Sequence, residues 1–513
     1  MSSIFRGKFA LILKIIILAG VTAILSLLAQ SAVASGEIAI GVFLVISIFA
    51  LNFTYFTKIS IPLKFFVPGI LFFIAFVIAP ILFTVLMSTY NYQTGNYIAK
   101  DAAIEQVLIR GVEPDANQTT FDLVSGRASN GSDAVLVSDI ANQKFFLSTQ
   151  DEITFLDAGQ LTINEYGVAE SAPDFETLSD ADMAKADKLY SLKRFKYQDE
   201  YFIALEGFEV GIVSRQVLTF DEVNDQFKNI ISGEIYIDTG RGNFAIAGSP
   251  DQYLEPGWRA PIWFENYTKL FTEERLRGPL ISVFIWTITF ATLSVLTTFA
   301  LGLLLALALN KPIRGRRVYR SILILPYAMP SIMSILIWGG MFNTEFGAIN
   351  NLLGTDIAWF QSPTFAKFAI ILVNLWLGFP YFYLISSGAL QAIQSELLEA
   401  ASIDGANPRQ IFRRITMPLL LQILSPLLIA SFAFNFNNFN LIYLLTGGGP
   451  RAELDGELAG ATDILISFTY KIAFGGSVQD LGLASAISLV IFILIASISL
   501  YGLRKSKVLE SFQ

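Results

Sequence analysis

Cysteine and histidine are both absent from the sequence. Disulfide frameworks, thiolate metal sites and histidine acid–base chemistry are therefore excluded. Charge is scarce as well: Asp, Glu, Lys and Arg make up 15% of 513 residues, against 53% hydrophobic. That balance excludes an ordinary soluble protein of this length. No Gly-x4-Gly-Lys-Ser/Thr string occurs, so no Walker-type phosphate cradle is expected in this chain. The lack of cysteine does not bar export, because a large domain can bury a core without disulfides.

What charge there is lies segregated. Ser88–Pro279 holds 31 acidic and 16 basic residues, a net of −15, whereas the remainder is net +7. An acidic block between basic-flanked apolar runs predicts a water-exposed domain inserted in a membrane protein. A spanning helix needs roughly 20 apolar residues. Phe9–Leu28, Ile38–Phe56, Phe65–Met87, Leu280–Leu309, Tyr319–Phe342, Phe365–Leu390, Leu419–Leu445 and Leu481–Leu503 meet that requirement. The basic groups are Arg6 and Lys8, then Lys58 and Lys64, then Lys311, Arg314, Arg316, Arg317 and Arg320. Arg409, Arg413 and Arg414 follow, and finally Arg504, Lys505 and Lys507. All fall on one side if both termini are cytoplasmic, as an even number of spans requires. Ala32-Val33-Ala34 resembles a signal-peptidase site. The apolar run before it is long for a signal peptide, and its removal would spoil the charge pattern, so the first span is read as retained. The expected organisation is three spans in 1–87, an exported domain in 88–279, and a core of five spans in 280–513.

Within the exported segment, short β-branched and aromatic runs bounded by turn residues argue for a mainly β module. They are Ala134–Val137, Lys144–Leu147, Ile153–Leu156, Gln160–Ile163, Tyr201–Leu205, Val210–Val213, Glu234–Ile237 and Asn243–Ala247. Asp180–Tyr190 reads as a helix. The acidic surface suits either a partner or simple solubility. Asn117-Gln118-Thr119 and Asn266-Tyr267-Thr268 fit the glycosylation tripeptide, a pattern common by chance.

The segment Glu399–Pro418, EAASIDGANPRQIFRRITMP, lies between apolar helices within a cytoplasmic loop, 391–418. Leu397, Leu398, Ala401 and Ile403 make one side of a short helix apolar. Ala400 and Ala401 permit close approach of another surface. Gly405 ends the helix and Asn407-Pro408 makes a turn. By itself this reads equally as an ordinary helix–turn–helix connector. The spacing goes further: Glu-Ala-Ala, three residues, Gly, nine residues, Ile, one residue, then a position before Pro resembles the EAA loop of ABC importer permeases. The family pattern ends in Leu-Pro where this chain has Met417-Pro418. Three helices, a large insertion and five helices are similar to the permeases of maltose/maltodextrin importers. So are ILPYAMPS (Ile324–Ser331), NLWLGFPY (Asn374–Tyr381), SFAFNFNNFN (Ser431–Asn440) and GGGP (Gly447–Pro450). The resemblance covers nearly the whole chain and is weakest in the first two helices and the insertion.

Polar side chains inside spans are costly and face a cavity or another helix. Ser431, Asn435 and Asn438 fall at i, i+4 and i+7, bordered by Phe434. Asn374, Leu377, Gly378 and Tyr381 make a second stripe. Tyr327 and Ser331 make an i, i+4 pair beside Pro326 and Pro330. On the same helical wheel Asn437 and Asn440 point elsewhere and suit interhelical bonds. Uncharged amides and hydroxyls with aromatic rings fit a sugar, although the same groups also serve as bonds between helices.

The resemblance implies that Tyr327, Ser331, Asn374, Leu377, Gly378, Tyr381, Ser431, Phe434, Asn435 and Asn438 contact the sugar. It implies a permease fold with an immunoglobulin-like, mainly β exported domain, in the inner membrane. It implies that Glu399, Ala400, Ala401, Asp404 and Gly405 seat in an ATPase subunit. The partners implied are a second permease, a homodimeric ATPase that holds ATP and Mg, and a periplasmic sugar-binding protein; the chain itself would carry no cofactor. The substrate would be maltose or maltodextrin, or alternatively another di- or oligosaccharide. Two other classes meet obstacles. An ion-coupled transporter would place ionisable residues in its core helices, where this chain has almost none. A membrane sensor would need an output domain, and only ten residues follow Leu503.

Overall fold

The computed structural model describes residues 8–35, 37–58, 60–179, 182–183, 193–198, 200–310, 313–450, 459–476 and 478–505. The expected helix Asp180–Tyr190, apart from Asp182 and Met183, lies outside these, as do Arg6, Lys311 and Lys507. Contacts divide the chain at Met87 into two compact units, each taken by itself.

The first unit is three apolar helices: α1 (Lys8–Ala34), α2 (Ile38–Phe56) and α3 (Ile61–Met87). α1 runs unbroken through Ala32-Val33-Ala34, six residues past the expected end. Large apolar side chains point outward on all three, Phe65 being 80% exposed. Such surfaces suit lipid, where a helix satisfies its own backbone and apolar exposure carries no penalty. Polar groups along these helices are satisfied locally: Asn52 Nδ2 donates to Thr22 Oγ1 at 2.9 Å, tying α2 to α1.

The second unit begins with the inserted, mainly β region. α4 (Lys100–Arg110) precedes a large antiparallel sheet. Its main path runs Arg194–Gln198, Tyr201–Glu206, Val210–Gln216, Thr120–Ala128, Asp133–Asp139, Lys144–Thr149, Ile153–Leu156. Strict alternation sends Phe121, Leu123, Val135, Val137 and Phe146 to one core. Ala134, Leu136, Phe145 and Leu147 go to a second core on the other face. A five-stranded meander follows: Leu218–Asp221, Gln226–Asn229, Ile235–Asp238, Phe244–Ile246, Ser249–Tyr253. Most expected strands are present, but Gln160–Ile163 is a 3-10 turn over Ala158–Gln160 and then a two-residue strand, Thr162–Ile163. The longest strand, Thr120–Ala128, was not foreseen. Only Thr120, Asp122 and Arg127 are exposed, and the buried Ser125 and Gly126 interrupt the β-branched pattern of TFDLVSGRA.

Lys100 fastens α4 to the meander. Its ammonium lies 5.4 Å from the Phe244 ring centroid and 5.1 Å from that of Trp258. It donates to Asp225 and, at 2.7 Å, to Asp238. Burial alone pulls its pKa down, but the bonds and charges of the two aspartates outweigh this and the net shift is upward. A raised lysine pKa means that the stabilisation is complete at neutral pH and is lost only as pH rises through that pKa. Lys100→Met is expected to cost about 1–2 kcal/mol, the usual worth of a partly exposed ion pair plus cation–π contact. Faster hydrogen exchange over 226–229 in the full chain would show it; unchanged protection would contradict it.

α5 (Glu265–Thr272) leads into α6 (Glu274–Ala308), which starts six residues before the expected Leu280. α7 (Arg316–Ala328) and α8 (Ser331–Met341) follow, then the short α9 (Ala348–Leu353) and the long α10 (Pro363–Ala392). α11 (Ser395–Ile403) precedes α12 (Pro408–Phe436), α13 (Phe439–Leu445), α14 (Leu465–Phe474) and α15 (Leu481–Lys505). Among the described residues seven helices are long and apolar enough to span a membrane, with α7 and α8 together making an eighth candidate. α6 and α10 pack closest, Gly302 lying against the backbone of Phe382, where a Cβ would stand 2.7 Å from the carbonyl carbon. Indole and hydroxyl groups tie α6 to the segment before α14: Trp286 Nε1 donates to Thr462 O at 3.2 Å, and Thr287 Oγ1 accepts from Leu465 N at 3.0 Å.

The inserted β region is hydrogen-bonded to these helices. Asn266 Nδ2 donates to Ser88 O at 2.9 Å and Tyr90 O at 3.0 Å. Thr94 N donates to Gln479 O at 2.9 Å, and Gly482 N to Tyr92 O at 3.0 Å. Asn266 is buried with its amide engaged, so that tripeptide offers no attachment point.

Candidate functional site

Two of the expected continuous helices are broken, and the breaks build the site. α7 and α8 meet at 93° across Met329 and Pro330. Met329, the residue before a proline, is extended at φ −84°, ψ 141°, the conformation proline imposes on its predecessor. Tyr327 and Ser331 therefore stand on two helices, not at i, i+4 on one. α12 ends at Phe436, and Asn437 and Asn438 leave helical geometry before α13. Asn438 caps α13, its Oδ1 accepting from Leu441 N at 3.4 Å. Ser431, Asn435 and Asn438 thus do not share one helix face.

The ten residues nevertheless meet. Tyr327, Ser331, Asn374, Leu377, Gly378, Tyr381, Ser431, Phe434, Asn435 and Asn438 all line one cavity of about 610 Å³. α10 contributes Asn374, Leu377, Gly378 and Tyr381 at i, i+3, i+4 and i+7, the stripe read from sequence. The break at Asn437–Asn438 resets the helical phase and turns Asn440 into the same cavity, against the expectation that it points elsewhere. Asn437 does not line it. Thr298, Pro326, Met329, Ile335, Phe382, Ala430 and Leu441 complete the wall. Thr298, on α6 beside Gly378, was missed because one threonine in an apolar span gives no directional signal.

None of these lining residues is charged. Asn435 Nδ2 donates to Ser431 O at 2.8 Å, while its Oδ1, buried at the cavity wall, has no partner among the described residues. A buried amide oxygen with no donor is costly, about 1–3 kcal/mol, unless a ligand or water supplies one. Asn438 Nδ2 reaches Asn374 Oδ1 at 3.4 Å, linking two of the walls. Tyr327 and Phe434 present exposed rings. The site can hold an uncharged, hydroxyl-rich molecule by amides and hydroxyls, with aromatic faces against its C–H surfaces.

The second feature is α11 and the turn after it. No residue of α11 is buried, and Ile403 is 85% exposed. Asp404 caps its end and Gly405 has φ +83°, a left-handed conformation that glycine adopts without steric cost. Asn407 and Gln410 form a reciprocal capping box, with bonds of 2.9 Å each way, that starts α12. Glu399, Ala400, Ala401, Asp404 and Gly405 therefore lie on one projecting, ordered helix-and-turn.

The model of the binding-protein-dependent transport system inner membrane component matches residues 298–506. The maltose/maltodextrin transport system permease protein MalF of Vibrio parahaemolyticus is 37% identical over 492 residues, 93% of this chain and 91% of its own length. MalF of Escherichia coli K12 is 47% identical over 263 residues, half of each chain. A solved bacterial ABC transporter chain involved in alginate import is 22% identical, with a TM-score of 0.42 over 48% of this chain and 84% of its own. With these relatives, its spans, its broken helices and its uncharged cavity, the chain is a multi-pass inner-membrane permease of an ABC importer complex. The chain belongs to the family of maltose/maltodextrin transport system permease proteins, MalF.

Proposed function

We propose that this permease carries maltose and maltodextrins across the inner membrane, binding them in the cavity between α7, α8, α10, α12 and α13. The observation that carries the reading is the uncharged lining with an unpartnered buried acceptor, Asn435 Oδ1. Glucosyl hydroxyls can donate to that oxygen, and the rings of Tyr327, Tyr381 and Phe434 can pack on pyranose faces. A neutral wall also avoids burying an uncompensated charge.

The chain acts with a second, MalG-like permease, a homodimeric MalK-like ATPase and a periplasmic sugar-binding protein. ATP and Mg are held by the ATPase; this subunit carries no cofactor and hydrolyses nothing itself. Both termini and the loop 391–418 face the cytoplasm, and 88–279 faces the periplasm, where the basic-side rule puts them. Closure of the ATPase dimer drives α11 through Glu399, Ala400, Ala401, Asp404 and Gly405. The core helices then open toward the docked binding protein, the sugar passes to the cavity, and hydrolysis resets the pore inward. The reconstituted complex, given binding proteins loaded with a panel of sugars, is expected to couple ATP hydrolysis to maltose and maltotriose uptake. Uptake of an unrelated disaccharide at equal rate, or uptake driven by an ion gradient without the ATPase, would refute this reading.

A further inference from the structure

α1, α2 and α3 enclose a slot of about 770 Å³. It follows α1 from Ala10 to Leu28, about 27 Å at 1.5 Å per residue. The wall is apolar throughout, with Ser47 Oγ already bonded to Phe43 O at 2.8 Å. Tyr55 OH is likewise engaged, donating to Lys64 O at 2.8 Å. One lining residue is charged: Lys14, near the α1 start of the slot.

Among the described residues Lys14 pairs with no carboxylate. Residues 1–87 hold five basic residues and a single acidic one, Glu37, which lies beyond the far end of α1. The ammonium instead donates to Tyr55 O and lies 5.5 Å from the Phe56 ring centroid. An ammonium has three N–H donors, so the Tyr55 carbonyl leaves two for another acceptor. A lysine inside a membrane span needs a partner and reaches toward the interface to find one.

We infer that this slot is a binding site for an anionic phospholipid, its acyl chain lying between the three helices and its phosphate meeting Lys14. The two halves of the slot call for one molecule that is apolar along its length and negatively charged at one end. The membrane supplies such a molecule, and the cationic end lies on the cytoplasmic side in the orientation proposed above.

The test is lipid retention by the full importer complex. After exchange into an equimolar mixture of phosphatidylglycerol and phosphatidylethanolamine, native mass spectrometry is expected to find phosphatidylglycerol preferentially retained. Lys14→Gln should lower that preference about fivefold, the usual effect of one lysine at an anionic interface, while Lys14→Arg keeps it. Leu25→Trp, which fills the slot, should reduce retention of both lipids. Equal retention of the two lipids by the wild type, an unchanged preference in Lys14→Gln, or unaltered retention in Leu25→Trp would each overturn the assignment. So would a cross-link from a cysteine placed at Ala75, on the slot wall, to a helix of the second permease. Because the readout is lipid and not sugar, it stands or falls apart from the transport reading.

Discussion

Asn435→Leu is expected to raise the KM for maltose uptake roughly ten- to a hundredfold, the range that loss of a buried hydrogen bond produces. Leucine keeps the volume and removes both the Nδ2 bond to Ser431 O and the unpartnered Oδ1 acceptor. The effect should fall on transport of free sugar from the pore, with basal ATPase activity of the reconstituted complex left near wild type. Asn435→Asp makes the complementary case. It retains an acceptor but buries a charge in an uncharged wall, and the cost of desolvating that charge predicts a loss at neutral pH at least as large. Wild-type uptake kinetics in both variants would remove Asn435 from the sugar site. Asn440 is a second case for the same assay, since only the break before α13 brings it to the cavity.

Gly405→Pro should reduce sugar-stimulated ATPase activity to the unstimulated level while the permease still inserts and assembles. The native φ of +83° is closed to proline, whose ring fixes φ near −65°. The turn between α11 and α12 must therefore rebuild, and α11 is reoriented on its partner. Space is not the constraint, for nothing lies within 4 Å of a Cβ at Gly405. Gly405→Asn is accordingly the control: asparagine enters the left-handed region at a modest cost, within the roughly 1–2 kcal/mol of other L-residues. It should keep most of the stimulation. Normal stimulation in Gly405→Pro would show that the loop does not transmit the ATPase stroke.

The two expected effects separate the functions of the chain. In the proposed reading Asn435 serves the sugar and Gly405 the ATPase stroke. Asn435→Leu should leave basal ATPase activity intact, because Asn435 and Gly405 lie at opposite ends of α12 and its preceding turn; Gly405→Pro, which stops the stroke, should abolish uptake while equilibrium binding of maltose to the complex stays near wild type. Independent sites of this kind give nearly additive free-energy changes, so the double variant should combine weakened sugar binding with absent stimulation.

The spans were legible because hydropathy over about 20 residues depends only on composition, and Leu280–Leu309 and Phe365–Leu390 match α6 and α10 to within a few residues. The stripe Asn374, Leu377, Gly378, Tyr381 was legible because α10 is unbroken and its periodicity of 3.6 holds. Phase was lost wherever a helix was interrupted. Pro330 marks a break that the sequence permits, yet its 93° angle depends on what α7 and α8 pack against. At Asn437 and Asn438 no proline or glycine marks the break at all, which is why Asn440 was assigned to the wrong side.

The inserted domain divides in the same way. Ile153–Leu156 could be read residue for residue from its β-branched and aromatic content. Thr120–Ala128 could not, although it pairs with three other strands in the large sheet. Only Thr120, Asp122 and Arg127 face solvent, and its buried Ser125 and Gly126 give no apolar signal; pairing on both edges is what buries them. Composition and local order alone put this chain across a membrane, give it an inserted acidic domain, and give one loop the spacing of the EAA motif. That ten uncharged residues, nine from four helices and Asn438 from the break before α13, converge on one cavity, with an eleventh at Asn440, follows only from the folded arrangement. Convergence depends on where helices bend and how closely they pack, and those are set by contacts between segments far apart in the chain.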